Sequence, residues 1–149
     1  MNKNQVLVSG AVLFKHNKGK DLEWFLVKSD GEDDWEIPKV LVRKGESSVR
    51  ASLRMLAERG NMTTKVLEEV GRAGGTASVN GKVLPQRHIY YLAVLKSPIT
   101  EAIGFDEVVW LDYSKASRKI SSKREKAILK QAKKVYSDWK KARQAKKNK

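Results

Sequence analysis

One amphipathic helix set between β-rich segments constrains this chain most. In Ser47–Asn61, the residues Val49, Leu53, Leu56 and Gly60 recur at helical spacing and define one face. Ser47 or Ser48 supplies an N-terminal cap. Gly60 and Asn61 tolerate left-handed backbone where the helix must stop. Before it, Val6–Lys15 and Leu22–Ser29 read as an antiparallel hairpin joined by His16–Asp21. An acidic loop over 30–34 follows. Trp35–Pro38 and Leu41–Arg43 are short extended pieces about Pro38, which blocks a regular central strand. After the helix, Lys65–Arg72, Thr76–Val79 and Val83–Leu95 read as strands, with Asn80-Gly81-Lys82 as a hairpin turn. Phe105–Leu111 is another strand, Ser114–Ser117 a short turn, and a long helix starts near Ser122. The order β-β-loop-α-β-β-β-β-α demands a mixed sheet with helices on its faces, not regular βαβ winding.

Composition narrows the function classes. The 149 residues suit one domain with a tail, at 40% hydrophobic and 32% charged. No apolar run approaches the roughly 18 residues of a membrane span, and the N-terminus reads as a strand, not a signal peptide. A cytoplasmic protein without membrane contact is expected. The absence of cysteine excludes thiol catalysis, disulfides and thiolate metal sites. His16 and His88 lack metal-ligand spacing. The net charge of +14 is placed unevenly. From Ser114 onward lie fifteen of the 31 basic residues but two of the 17 acids, Glu125 and Asp138, so this segment carries +13. Such asymmetry points to an anionic partner, with nucleic acid foremost, or to a solvated tail.

The segment Pro38–Met62 resembles the Nudix box, G-x5-E-x7-R-E-U-x-E-E-x-G-U, with U a bulky aliphatic residue. Aligned without gaps, the first Gly falls on Val40, the first Glu on Glu46 and the Arg on Arg54. The following acids fall on Met55, Glu58 and Arg59, and the last Gly-U on Asn61-Met62. Ser9–Phe14, Trp35–Lys39, His88–Leu95 and Phe105–Ala116 are similar to the flanking segments of that family. They look most like its diadenosine polyphosphate hydrolase branch. The resemblance covers about 6–134 and implies a Nudix fold, an α/β/α sandwich with a mixed sheet. The change of pattern near Ser122 divides the chain into a domain over 1–121 and a basic amphipathic helix over 122–149 packed on it.

The resemblance also implies a chemistry. Nudix enzymes hydrolyse nucleoside diphosphates linked to another group, using Mg²⁺ or Mn²⁺ held by carboxylates to neutralise phosphate charge and activate water. Here Met55 and Arg59 remove two acids and add a cation. Glu46, Glu58 and, from a later loop, Glu107 remain as metal candidates. Glu58 and Arg54 would act if catalysis persists. A helical wheel with Val49 at the core direction puts Arg54, Glu58 and Ala51 opposite it, with Met55 beside them, and Arg59 then competes with metal for Glu58. Plain alternatives stand beside each role. Glu58 is a surface glutamate paired with Arg54 or Arg59, Glu46 braces the helix start, and Met55 packs.

Trp35, Lys39, Arg43, Arg87 and Tyr91 are candidates for binding a nucleotide or polyphosphate, with a rim Trp and solvated cations as the alternative. On the last helix, Ile128, Ala132, Val135, Trp139 and Ala142 mark a docking stripe widened by Leu129 and Tyr136. Lys123, Lys126, Lys130, Lys133, Lys134, Lys140, Lys141 and Arg143 surround it as candidates for RNA or ribosome contact. The residues from Ala142 onward are expected to fray. Three functions follow from this reading: a Nudix-related protein with weak or lost hydrolysis that retains nucleotide or phosphate binding, an active hydrolase with an altered Mg²⁺ ligand set, or a non-enzymatic RNA- or ribosome-associated module.

Overall fold

A computed structural model gives the fold and describes residues 5–19, 21–28, 33–98, 101–102 and 104–147, with the backbone alone at 77–79. Much of the expected acidic loop, residues 30–32, lies outside the described residues, as does Ser29 at the end of the second expected strand. The elements run β1 (Val6–His16), β2 (Leu22–Lys28), β3 (Lys39–Leu41), α1 (Ser48–Glu58), β4 (Thr64–Val79), β5 (Lys82–Leu95), β6 (Glu107–Leu111), α2 (Tyr113–Lys119) and α3 (Lys123–Lys147).

The six strands form one mixed sheet in the order β4-β5-β1-β2-β6, with β3 also paired to β1. β1 is its spine. It runs parallel to β5, with Val8 opposite His88 and Val12 opposite Leu92. On its other edge it pairs antiparallel with β3 at Val8–Gly10 and with β2 at Phe14–His16. The β1–β2 hairpin and the β4–β5 hairpin are those expected. The latter turns on Asn80 and Gly81, both at positive φ (53° and 77°), as a two-residue turn of this kind requires.

Strand alternation builds three layers. Ala11, Leu13, Phe25, Val27 and Ala93 point to one face and pack with Met55 and Leu56 of α1. Val12, Phe14, Trp24, Leu26, Tyr90 and Leu92 point to the other and pack with Ala116 of α2 and Ile128, Leu129 and Ala132 of α3. This is the α/β/α sandwich with a mixed sheet.

Three expectations need correction. β4 is one strand, not two, because two register shifts, at Val66/Glu68 and Glu69/Gly71, absorb the irregularity. The strand expected from Phe105 begins at Glu107. Ser114–Ser117 is helical, because the Asp112 carboxylate accepts from the Lys115 N–H and caps α2. The helix α3 reaches Lys147, and residues 148–149 of the segment expected to fray lie outside the described residues. Ala142, Arg143 and Lys146 line a groove against Lys65–Glu68 of β4, and the Arg143 guanidinium lies 5.2 Å from the centroid of the Trp139 ring.

α3 is pinned by a carboxylate. Glu125 is 3% exposed. It accepts from the Ile37 backbone N–H (2.9 Å), the Lys39 Nζ (2.8 Å) and the Tyr90 hydroxyl (2.7 Å). One side chain thus joins α3, β5, β3 and the segment before β3. Its burial is compensated because every contact is a charge-assisted hydrogen bond. Glu125→Ala leaves the Lys39 ammonium, the Tyr90 hydroxyl and the Ile37 N–H without this partner. Loss of one member of such a buried pair costs about 3 to 5 kcal/mol. Urea unfolding is expected to show that loss, and a change below about 1 kcal/mol contradicts the pinning role.

Candidate functional site

The loop–helix junction is built from serines and one ion pair. Ser47 caps α1, its Oγ accepting from the Arg50 N–H at 3.1 Å. Ser9 of β1 donates to the Ser48 carbonyl at 2.6 Å and shares a 2.7 Å hydrogen bond with Ser52. The Ser48 and Tyr91 hydroxyls bond to each other. These contacts satisfy polar groups between α1 and the sheet, which otherwise costs stability. They fix the rotation of the helix, so that Ala51, Ser52, Met55 and Leu56 are its buried residues. The core direction lies about a quarter-turn from Val49, at 100° per residue. The expectation that Ala51 lies opposite the core and Met55 beside the metal-facing side is therefore overturned. Both are 0% exposed.

Glu46 is committed to the loop. Its carboxylate receives Nε (2.8 Å) and an Nη (3.0 Å) of Arg54 in a bidentate pair, and also the Arg43 N–H (3.1 Å). Arg54 further donates to the Leu41 carbonyl. The hydrogen bond from Arg54, followed by that from the Arg43 backbone, lowers the Glu46 pKa from the usual 4.5 to about 2. Glu58 is 56% exposed, with an oxygen 3.8 Å from Arg54.

Arg59 does not compete for Glu58, contrary to expectation. Its Nε donates to the Gly104 carbonyl at 3.0 Å, its own carbonyl accepts the Gly104 N–H at 2.8 Å, and its guanidinium lies 4.3 Å from the Phe105 ring centroid. A Cβ at Gly104 would stand 2.5 Å from the Arg59 Cα, so this clip requires glycine there. Val40, in the place of the motif's first Gly, sits in β3 against the α1-side core, and the loop's positive φ falls on Gly45 (79°).

The remaining candidates are dispersed. Glu107 pairs with Lys28 at 3.2 Å on the β2–β6 ladder. Lys39 gives its ammonium to Glu125, Glu36 and the Ile37 carbonyl. Trp35 packs at the edge of the α3-side core, with Lys28 and Lys119 at 5.2 and 5.0 Å from its ring centroid. With Lys39 it lines a cleft of about 290 Å³. Arg87 lines a separate cleft with Arg72 and Gln86. Tyr91 is buried, while Arg43 is exposed beside Glu46. Lys123, Lys130, Lys133, Lys134, Lys140, Lys141 and Arg143 are exposed on α3, and Lys126 is half-buried.

These residues do not fit a divalent metal. Mg²⁺ needs several convergent oxygens, but Glu46 is neutralised by Arg54, Met55 is buried and Arg59 is a cation. Among the described residues no three His, Cys, Asp or Glu side chains converge as a metal centre needs.

The Glu125 network escaped the sequence reading. Tyr90, bonded to Glu125, also contacts His88 (3.4 Å), which bonds Gln86 (2.6 Å). Burial raises the Tyr90 pKa and lowers that of His88, with Glu125 adding to the first and Arg124 and Lys39 to the second. The available signal was an acid one turn before Ile128 and in phase with it. A cleft of about 630 Å³ beside Trp24, Trp110 and Tyr113 was also unforeseen, and of the candidates it includes Lys133 alone.

The sequence matches no protein-family model and no curated protein. The fold does match solved structures. A binary complex of Caenorhabditis elegans (C. elegans) Ap4A hydrolase aligns with a TM-score of 0.73 at 20% identity, over 89% of this chain and 98% of that one. The NUDIX domain of Shewanella oneidensis NrtR, complexed with ADP ribose, aligns at 0.69 and 19% identity, over 91% and 90%. E. coli dihydroneopterin triphosphate pyrophosphohydrolase aligns at 0.65 and 13% identity, over 84% and 92%. The chain has the Nudix fold.

The Glu46–Arg54 pair has a pH signature. A folded-state pKa below the unfolded value stabilises fully above the unfolded value, and the gain disappears as pH falls toward about 2. The difference in Tm between the native chain and Glu46→Gln is expected to narrow from pH 6 to pH 2.5. A difference that stays constant contradicts the pairing.

Proposed function

We propose that this chain is a Nudix-fold protein that binds a nucleotide or other polyphosphate, with pyrophosphohydrolase activity weak or absent. The observation that carries this reading is the closed Glu46–Arg54 pair, which leaves Glu58 as the one box carboxylate without a close bidentate partner. One exposed carboxylate supplies too little charge to hold Mg²⁺ against water. Two structural neighbours are named for Ap4A and dihydroneopterin triphosphate and a third is complexed with ADP ribose, three molecules that share a phosphate chain on a heterocyclic group. That chemistry is the ligand class inferred here. Arg43, exposed beside the box, and Arg87, in its cleft with Arg72, supply cations for phosphates. Trp35 and Lys39 lie apart from these cations, in a cleft on the α3 side where Glu125 and Glu36 hold the Lys39 ammonium. The alternative ligand set of Glu46, Glu58 and Glu107 is disfavoured by the partners each already holds.

A second reading has its own observation. The helix α3 packs on the sheet and turns its cations outward, and Lys130, Lys134, Lys140 and Lys141 form no ion pair among the described residues. We assign it a contact with a nucleic-acid backbone, free or within a ribosome.

Product release from a panel of nucleoside polyphosphates, including diadenosine polyphosphates and capped RNA, tests the first reading. Each is incubated with Mg²⁺, with Mn²⁺ and with chelator. No metal-dependent turnover is expected, with nucleotide binding detectable by calorimetry and weakened by Arg43→Ala. Metal-dependent turnover abolished by Glu58→Gln contradicts it and establishes the altered ligand set.

A further inference from the structure

We infer that the outward face of α3 is a docking surface for double-stranded RNA, an assignment that rests on the second reading above and names its partner. The face is defined by what α3 buries. Glu125, Ile128, Leu129 and Ala132 are turned to the sheet, with Val135, Tyr136 and Trp139 half-buried behind them. The opposite side carries Lys130, Lys134 and Lys141 around a shallow concavity of about 550 Å³ that also includes Gln131, Ser137 and Asp138. From 127 to 141 this surface is about 20 Å long at 1.5 Å per residue, enough to meet several consecutive phosphates.

Three features select the partner. The lysines of this face form no ion pair among the described residues, so their charge is available to phosphates. The aromatic rings of α3 lie on its docked side: Tyr136 packs on Phe14 at 4.9 Å and Trp139 on Tyr136 at 6.1 Å. The face therefore offers no platform for stacking unpaired bases, which argues for a duplex. Lastly, acceptors stand among the cations. Asp138 is exposed within the lysine row, beside Gln131 and Ser137. A DNA backbone offers acceptors only, and a carboxylate facing it is repelled. The RNA minor groove is wide and shallow and presents 2′-hydroxyls as donors among the phosphates. A row of lysines interrupted by a carboxylate matches that alternation. No large apolar side chain is exposed on this face, as insertion into a lipid surface requires.

Fluorescence anisotropy with a 20-base-pair RNA duplex, the DNA duplex of the same sequence and the single RNA strand tests the assignment across a salt series, with phosphatidylserine vesicles as a competitor. The RNA duplex is expected to bind tightest, by about fivefold or more over DNA. The exposed substitutions Lys130→Gln, Lys134→Gln and Lys141→Gln together are expected to weaken it at least about tenfold and to lower the slope of log affinity against log salt by up to about three, at unchanged Tm. Asp138→Ala is expected to bring the RNA and DNA affinities together. Equal binding of both duplexes by the native chain overturns the RNA assignment and leaves the backbone contact standing. Affinity unaffected by the triple substitution, or displacement by vesicles, overturns the docking surface. Binding to none of the three nucleic acids overturns both it and the second reading, and leaves the nucleotide-binding reading untouched.

Discussion

The carboxylate of Glu125 is the interaction on which the arrangement depends. It is buried, yet its bonds come from two distant parts of the chain: the Ile37 N–H and the Lys39 ammonium in and just before β3, and the Tyr90 hydroxyl of β5. Helix propensity and an apolar stripe would let α3 lie on the sheet at several angles. A buried charge cannot move without leaving its partners unsatisfied, so it selects one. The selection also determines what faces water. With Glu125, Ile128 and Leu129 turned inward, the lysines of α3 are turned out together. The anchoring of the helix and the cationic surface are two consequences of one constraint.

The box helix joins the Nudix fold to a set of internal contacts. In the resemblance to the Nudix motif, the spacing from Glu46 to Arg54 is intact, and the structure uses that spacing for a bidentate ion pair across the loop. Two positions where the motif has acids are occupied differently from each other. Met55 is buried in the α1-side core with Leu13 and Phe25, and Arg59 clips the backbone at Gly104. Both residues hold the helix to its surroundings, and fold alone does not carry activity.

Much of this architecture was legible from local signals. The hairpin of β1 and β2, the Asn80-Gly81 turn, the Ser47 cap and the left-handed residue Asn61 (φ 51°) just beyond α1 follow from pattern and turn chemistry. What escaped was tertiary. The rotation of α1 is set by Ser9, 43 residues from its partner Ser52, so a wheel centred on Val49 missed it. The Arg59–Gly104 clip spans 45 residues and leaves no local trace. Asp112 made a helix of an expected turn through one side-chain hydrogen bond. Glu125 read as one acid in a basic tail because only its partners, 35 to 88 residues away, reveal its burial. For the site, the candidate residues near the box came together as neighbours, but with one another as partners and not around a shared centre.

The function proposed above requires that this Nudix-fold chain hold no divalent metal at the box, because Glu46 is paired with Arg54 and Met55 is buried. Manganese paramagnetic resonance tests it directly, because the free hydrated ion gives a signal that coordination to protein removes. The account predicts that the free-ion signal tracks added Mn²⁺ into the millimolar range whether or not the protein is present. Loss of one or more ions per chain from that signal, restored by Glu58→Gln, would contradict it.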